Sequence, residues 1–443
     1  MNVHNLQAPG IHHRIMSLLS YLFASLLVGC AFELRADWPD FRGPQQNGHA
    51  SAAGGANHSE LPVQWSETNN VTWKTPLPHK GWSTPVIQGE QIWLTTATPD
   101  GKDFFAICVA ADSGKIIFNE PIFRCEAPEP LGNNLNSYAS CSPVIEAGRV
   151  YVHFGSYGTA CLDTESFKVI WKRDDLPCKH FRGPGSSPVL FNNLLILTMD
   201  GIDFQYLVAL DKKTGKTIWK TDRTANWNDL EADGQPRGGG DFRKAYSTPL
   251  IMDFGGKKQM LTVGSKAAYS HDPATGKEIW KLNHAGFSSA SRPVFDGTNA
   301  YLATGNGKGE ILCVRVDGQG DITDTHVVWR NGRGFPRMPS PVLAEGLLFM
   351  VSDSGIVSGL DAATGKELWQ ERLGGDYAAS LLYANGRVYC FGQDGKATVL
   401  KAARTYEVLA SNRLAAGFMA SPAVAGNALI LRTKTHLYRI EKN

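Results

Sequence analysis

The sequence carries no surplus of charge: 44 Lys and Arg stand against 42 Asp and Glu, and charged residues make up 19% of the chain. That balance removes the basic footprint a nucleic-acid binder needs. No Cys-x-x-Cys has a partner pair, so there is no ligand set for structural zinc. No Cys-x-x-Cys-His offers a haem attachment either. No two cysteines are adjacent, and neither a Ser-His-Asp nor a paired-carboxylate spacing is present.

One long apolar run exists, "IMSLLSYLFASLLVGCAF" at 15–32. Arg14 and several His precede it and the polar "ELRADWPDF" follows, which is the layout of a secretory signal. Two processing routes stay open: "LVGC", Leu27 to Cys30, resembles a lipobox that would leave Cys30 lipidated, and cleavage after Ala36 would leave Asp37 as the new end. An uncleaved anchor of about 18 residues is short for a membrane span. Each route exports the rest of the chain to the periplasm, free or as a membrane-anchored lipoprotein. Without Cys30 seven cysteines remain, an odd number that leaves at least one free in an oxidising compartment. If a disulfide forms, Cys125 and Cys141 are the candidate pair.

What the chain does have is repetition. "DKKTGKTIW" at 211–219 returns as "DPATGKEIW" at 272–280 and "DAATGKELW" at 361–369, with worn versions at 112–118 and 163–171. Alternating apolar residues precede each copy, the mark of a half-buried strand. Asp bonds its own backbone, Gly supplies positive φ, and a second strand tipped with Trp restarts after Lys. A second phrase, Ser-Pro or Ser-x-Pro with an aliphatic, recurs ahead of each hairpin, eight times when the degenerate "SLL" at 380–382 is counted. Proline belongs at the first residue of a strand or at an edge. With another hairpin between the two phrases, each unit has four antiparallel strands, A to D. The spacing of roughly 40–50 residues describes a β-propeller blade.

The expected fold is therefore all-β, an eight-bladed β-propeller of four-stranded antiparallel blades. The last unit supplies only about three strands, and "NNVTWKTPL" near 69–77 supplies the fourth, so N- and C-terminal strands close the ring. The domain reading is 1–36 signal peptide or lipoprotein signal, 37–68 N-terminal extension, and 69–443 a single propeller.

"ALDKKTGKTIW", Ala209 to Trp219, resembles the tryptophan-docking motif of the quinoprotein-like (PQQ-like) β-propellers, and "DWPDFRGPQQNG" at 37–48 resembles the start of many exported bacterial members. The resemblance implies that Trp171, Trp219, Trp280, Trp329 and Trp369 wedge between blades. It covers a superfamily that holds both PQQ-dependent dehydrogenases and a non-enzymatic outer-membrane assembly lipoprotein (BamB-like). For the dehydrogenases it implies PQQ with calcium at the mouth. "ATGNGKG" at 303–309 then points to Asn306 as a metal ligand and "VSDSG" to Asp353 as a base. The adjacent-cysteine pair of those enzymes is missing and their Glu has no counterpart. The expectation is no cofactor and no catalytic residue, with PQQ and calcium as the alternative.

The Thr-Gly-Lys turns join strands C and D on one face. The long irregular stretches, 123–140 and 221–247, join D to A on the other, and insertions gathered on one face of a repeat array mark its binding face. Residues at or just before strand A should approach the central opening there. Trp82, Asn136, Tyr138, Arg182, Lys244, Tyr246, Arg292, Arg337, Asp376 and Tyr377 are the candidate ligand-binding set. Arg forks suit carboxylates and phosphates, whereas polar side chains also line any propeller channel. The reading is a binding or scaffold module at the cell envelope, with a protein or carbohydrate partner and no nucleic acid. Membrane attachment would come only through Cys30.

Overall fold

The computed structural model describes residues 1–2, 38–50 and 61–442. The chain divides into two units, Met1–Arg35 and Ala36–Asn443. Nearly all of the first unit lies outside the described residues, as do Cys30, Ala36 and Asp37 and the processing routes read from them.

In the second unit the repeated phrase folds as its chemistry dictates. At 211–219 the Asp211 carboxylate accepts from the Thr214 backbone N–H and hydroxyl, both at 2.8 Å, and Gly215 takes φ +72°. Each outer strand then carries a β-bulge, for example between Ala209 and Leu210 in the pairing with Trp219 and Thr217. The bulge turns the Trp inward and leaves the preceding aliphatic outside, as with Ile170 (42% exposed) and Ile218 (54%). Bulges of this kind also blunt an edge that would otherwise template further strands.

Eight four-stranded antiparallel sheets form the eight blades. Blade 1 runs Val86–Gln88, Gln91–Ala97, Asp103–Ala110 and Ile116–Arg124. Blade 8 takes Ala423–Ala425, Ala428–Arg432 and His436–Ile440 from the C-terminal end, and Val71–Pro76 from the N-terminal side pairs with His436–Ile440 to complete it. The expected eight-bladed closure through both terminal strands is what the structure shows. Blade 4 alone among the described blades has a fifth strand: Gly320–Asp321 pairs in parallel with Trp280 and Lys281 on its outer edge.

Neighbouring blades meet through the phrase twice over. The Trp171 indole donates to the Lys212 carbonyl of the next blade (3.0 Å), Trp329 to Ala362 (2.9 Å), Trp369 to Ala403 (3.1 Å) and Trp73 to Ala111 (3.1 Å). The glycine of the turn makes room for that ring. A Cβ on Gly276 would lie 2.5 Å from the Trp219 ring, at a residue already at φ +71°. Blade 7 carries Ala410 where blade 1 has Phe118 and the other six have Trp, and Trp65 from the N-terminal stretch is buried in the same core cluster. Its backbone N–H donates to Asn412 Oδ1 at 2.9 Å.

Around the axis runs a relay of hydroxyls. The backbone N–H of Thr84 donates to Ser142 Oγ, Ser142 to Ser187 and Ser187 to Thr248; likewise Arg292 to Ser340, Ser340 to Ser380 and Ser380 to Ser421, each at 2.9–3.0 Å. This is the work of the Ser or Thr in the second phrase, because each hydroxyl accepts from the preceding blade. The relay breaks where Arg292 replaces the hydroxyl residue, and there the Arg292 guanidinium donates to the Pro249 carbonyl of blade 4. Between blades 8 and 1, Arg432 donates to the Ser83 carbonyl and hydroxyl.

The N-terminal extension is not a separate appendage. Residues 38–50 cross the end of the channel opposite the D-to-A loops, bonded to strand A of several blades. Trp38 exchanges backbone bonds with Ile87 (2.9 and 2.8 Å), and the Ile145 N–H reaches the Pro39 carbonyl (3.0 Å). Ala50 reaches the Tyr383 carbonyl (2.9 Å), and the Gln46 side chain accepts from Ile251 (3.1 Å). The buried Arg42 donates to the carbonyls of Ser340 (3.0 Å) and Pro341 (2.9 Å). All seven cysteines among the described residues are free, with Cys141 buried and Cys125 half-buried, so the candidate Cys125–Cys141 disulfide is not formed.

Candidate functional site

Closing one end of the channel turns the other into a cup. A cavity of about 560 Å³ opens at the D-to-A face, and residues preceding strand A of all eight blades reach its wall, from Trp82 and Thr84 round to Met419 and Ser421. Phe41 of the N-terminal segment lines it from within.

Five of the ten sequence-derived residues meet here: Trp82, Asn136, Arg182, Lys244 and Tyr246. Their roles differ. Asn136 donates to the carbonyls of Arg182 (2.8 Å) and Pro184 (3.1 Å), tying two mouth loops together. The Lys244 ammonium is buried against Asp241, donating to its carboxylate and to its carbonyl at 2.8 Å. Burial, with Arg182 close by, pushes its pKa down to about 8. Arg182 is freer. Its side chain is 34% exposed, its only ion-pair contact among the described residues is Asp241 at 4.0 Å, and its guanidinium lies 4.9 Å from the centroid of the Phe181 ring. Tyr246 is half-buried, and burial raises its phenol pKa.

The other five lie elsewhere. Arg292 is a correction with a physical reason. It occupies the hydroxyl position of the relay, is wholly buried, and reaches down the channel to pair with Asp40 and to donate to Gln46 Oε1 at 2.9 Å. Tyr138 is buried edge-on to Phe104, with its hydroxyl on the Glu129 carbonyl (2.7 Å). Tyr377 is wholly buried in the core between blades 6 and 7. Asp376 is exposed outside the cup. Arg337 stands on the rim of a neighbouring cavity of about 300 Å³, donating to Asp353 (2.9 Å) and Asn306 (3.0 Å).

Several wall residues escaped the sequence reading. Phe287 comes from a two-stranded piece, Gly286–Phe287 with Asn306–Gly307, that separates the cup from its neighbours and also brings Asn306, the metal-ligand candidate, to the wall. Phe41 sits in the quoted "DWPDFRGPQQNG", but nothing in that stretch says that it crosses the axis. Met338 and Met419 precede their strands A and follow the same positional rule as Lys244; apolar character hid them.

The fold and the cup together define an eight-bladed β-propeller with a closed base and an open mouth, similar in its repeat to the quinoprotein-like (PQQ-like) propellers. A family profile described as outer membrane protein assembly factor BamB matches residues 315–434. The outer membrane protein assembly factor BamB of Yersinia pestis is 24% identical over 210 residues, 43% of this chain and 48% of that protein. That of Marinobacter adhaerens is 26% identical over 175 residues, 38% of this chain and 41% of its own length. The matches thus span about half the length of these curated relatives. Among solved structures, BamB from Moraxella catarrhalis superposes with TM-score 0.59 at 12% identity, covering 84% of this chain and 97% of that one. The quinohemoprotein alcohol dehydrogenase of Comamonas testosteroni gives TM-score 0.63 at 12% identity, with 92% and 81% covered. At such identity the likeness is one of fold.

Proposed function

We propose that this protein is an exported, non-catalytic binding propeller of the cell envelope whose mouth face engages a protein partner. The observation that carries this reading is an arc of exposed apolar side chains on the mouth loops of adjacent blades: Leu135 (51% exposed), Phe181 (39%), Phe204 (49%) and Leu230 (63%). Four large apolar groups left in water around one opening mark an interaction site more often than an accident of folding. The relatives named as outer-membrane assembly factors support a protein partner at the envelope and an exported chain.

PQQ with calcium is the competing reading, and the donor set does not fit it. Asn306 Oδ1 accepts from Arg337, whose guanidinium also holds Asp353, so a cation already stands between the two groups a calcium site would use. Asp241, the carboxylate on the cup wall, is committed to Lys244. Among the described residues no three of His, Cys, Asp or Glu cluster closely enough to hold a metal ion. Calcium wants six to eight oxygens, usually several of them carboxylate.

A photoreactive residue placed at Phe204 or Leu230, in cells, tests the mouth reading against one at Lys213 on the opposite face. A discrete protein adduct from the mouth positions and none from Lys213 is expected; adducts from Lys213 alone would sink it. For the competing reading, protein with PQQ, calcium, a primary alcohol and an artificial electron acceptor should reduce no dye. Saturable reduction abolished by Asn306→Ala would establish the enzyme instead.

A further inference from the structure

We propose that the cup itself holds a small monocarboxylate with a flat apolar body, its carboxylate seated on Arg182. The inference deepens the mouth reading and rests on it. Its warrant is the division of the cup wall into two unlike halves.

One half is cationic. Arg182 and Lys244 face a single carboxylate, Asp241, so the wall carries one net positive charge (two cations less one anion). Lys244 is spent on Asp241. The Arg182 side chain makes no hydrogen bond among the described residues and only a 4.0 Å approach to Asp241, so most of its five N–H donors are open. The Arg182 guanidinium carbon lies 4.9 Å from the centroid of the Phe181 ring, a cation–π contact that narrows its positions before any ligand arrives and lowers the cost of ordering it. A planar fork with free donors matches a carboxylate with two parallel bonds.

The other half is mainly apolar, with Asn306, Ser380 and Ser421 among its polar groups. Phe41, Phe287, Met338 and Met419 line it, and none of these side chains offers a strong hydrogen-bond donor. A flat hydrocarbon body suits the two rings, and the methionines adapt to its outline. About 560 Å³ lies within the range that takes a ligand of this kind. The charge count limits the ligand further: one net positive charge balances one carboxylate. A second or third carboxylate would have to sit among Phe and Met without a partner, where a buried unpaired charge is costly. Inorganic phosphate would satisfy Arg182 and leave the apolar half in water.

Isothermal titration of the full chain with 2-naphthoate, the neutral isostere 2-naphthamide and 2,6-naphthalenedicarboxylate tests this. Naphthoate is expected to bind one to one, and the amide and the dicarboxylate each about tenfold more weakly or worse. Arg182→Ala should lose about tenfold for the acid and little for the amide, Arg182→Lys should recover part of it, and Met419→Glu should abolish acid binding. Circular dichroism checks that each variant folds. No binding of naphthoate at millimolar concentration, equal binding of acid and amide, or binding unchanged in Arg182→Ala would each overturn the proposal. If those failures coincide with crosslinks from Phe204 or Leu230, the cup assignment falls and the mouth reading stands. A photoreactive naphthoate that labels only the Thr-Gly-Lys turns would remove both.

Discussion

Arg292 pairs with Asp40 across 252 positions of sequence, and both are buried at the base of the channel. The pair fastens the N-terminal segment to the ring. Removing one partner strands the other as a buried charge, so Asp40→Asn or Arg292→Met should each cost about 3–5 kcal/mol. The double variant removes the pair together but leaves the buried Arg42 without the nearby Asp40 charge, so it should recover only part of that loss. Urea denaturation of all three checks it, and a double variant worse than the sum of the singles would contradict the pairing.

Deleting residues 37–80 should leave an aggregating or misfolded chain. The deletion removes both the outer strand of blade 8 and Trp65, which fills the aromatic place that Ala410 leaves empty. An open sheet edge then faces water. Size-exclusion chromatography and thermal unfolding read the outcome, and a soluble product with cooperative unfolding would contradict closure through the N-terminal strand.

The tryptophans of the repeat are expected to hold blades together, with a cost that follows burial. Trp280→Ala removes a wholly buried ring and should cost about 3–5 kcal/mol. Trp219 is half-buried, so Trp219→Ala should cost less. Gly276→Ala should destabilise as well, since the new Cβ meets the Trp219 ring at a positive φ. Chemical denaturation ranks the three; a Trp280→Ala protein as stable as its parent would remove the wedge role.

Most of the fold was legible because the repeat encodes it: Asp, Gly and Trp at fixed spacing specify hairpin, turn and bulge. Even the borrowed strand at 71–76 could be found by its likeness to "IWKT" at 218–221. The cup was legible only in part. Rotational equivalence brought Trp82, Arg182 and Lys244 to one cavity, because the residues before strand A repeat eight times. It misplaced Arg292, which sits at the hydroxyl position and whose long side chain reaches the far end of the channel. Phe41 had no local signal at all, since its position depends on bonds to strands between 46 and 342 residues away.

Acid should weaken the fold, through histidines kept neutral by burial. Burial pulls the pKa of His153, His271 and His284 down to about 3 and that of His180 to about 4. His180 Nε2 accepts from the Ser156 N–H at 3.1 Å, a bond that protonation would end. With folded values below the unfolded 6.5, the unfolded chain binds the extra protons. Stability is therefore full above pH 6.5 and falls as pH drops from there towards 3. Each histidine contributes on the order of 1–2 kcal/mol of that loss by pH 5. Urea midpoints at pH 8, 6 and 5 test the slope, and His180→Gln should flatten it. A midpoint that does not move between pH 8 and 5 would contradict the buried neutral state.

The two places where the hydroxyl relay breaks lie half a circle apart, between blades 4 and 5 and between blades 8 and 1. Each is closed by an arginine instead, Arg292 and Arg432. The hoop is thus two laced semicircles of four blades joined at two seams. Cutting the chain at the first seam, after the exposed Ala285, should yield two pieces that each fold poorly alone yet recombine when mixed. Reassembly of the fragments would then depend on both arginines far more than on any single serine of the relay.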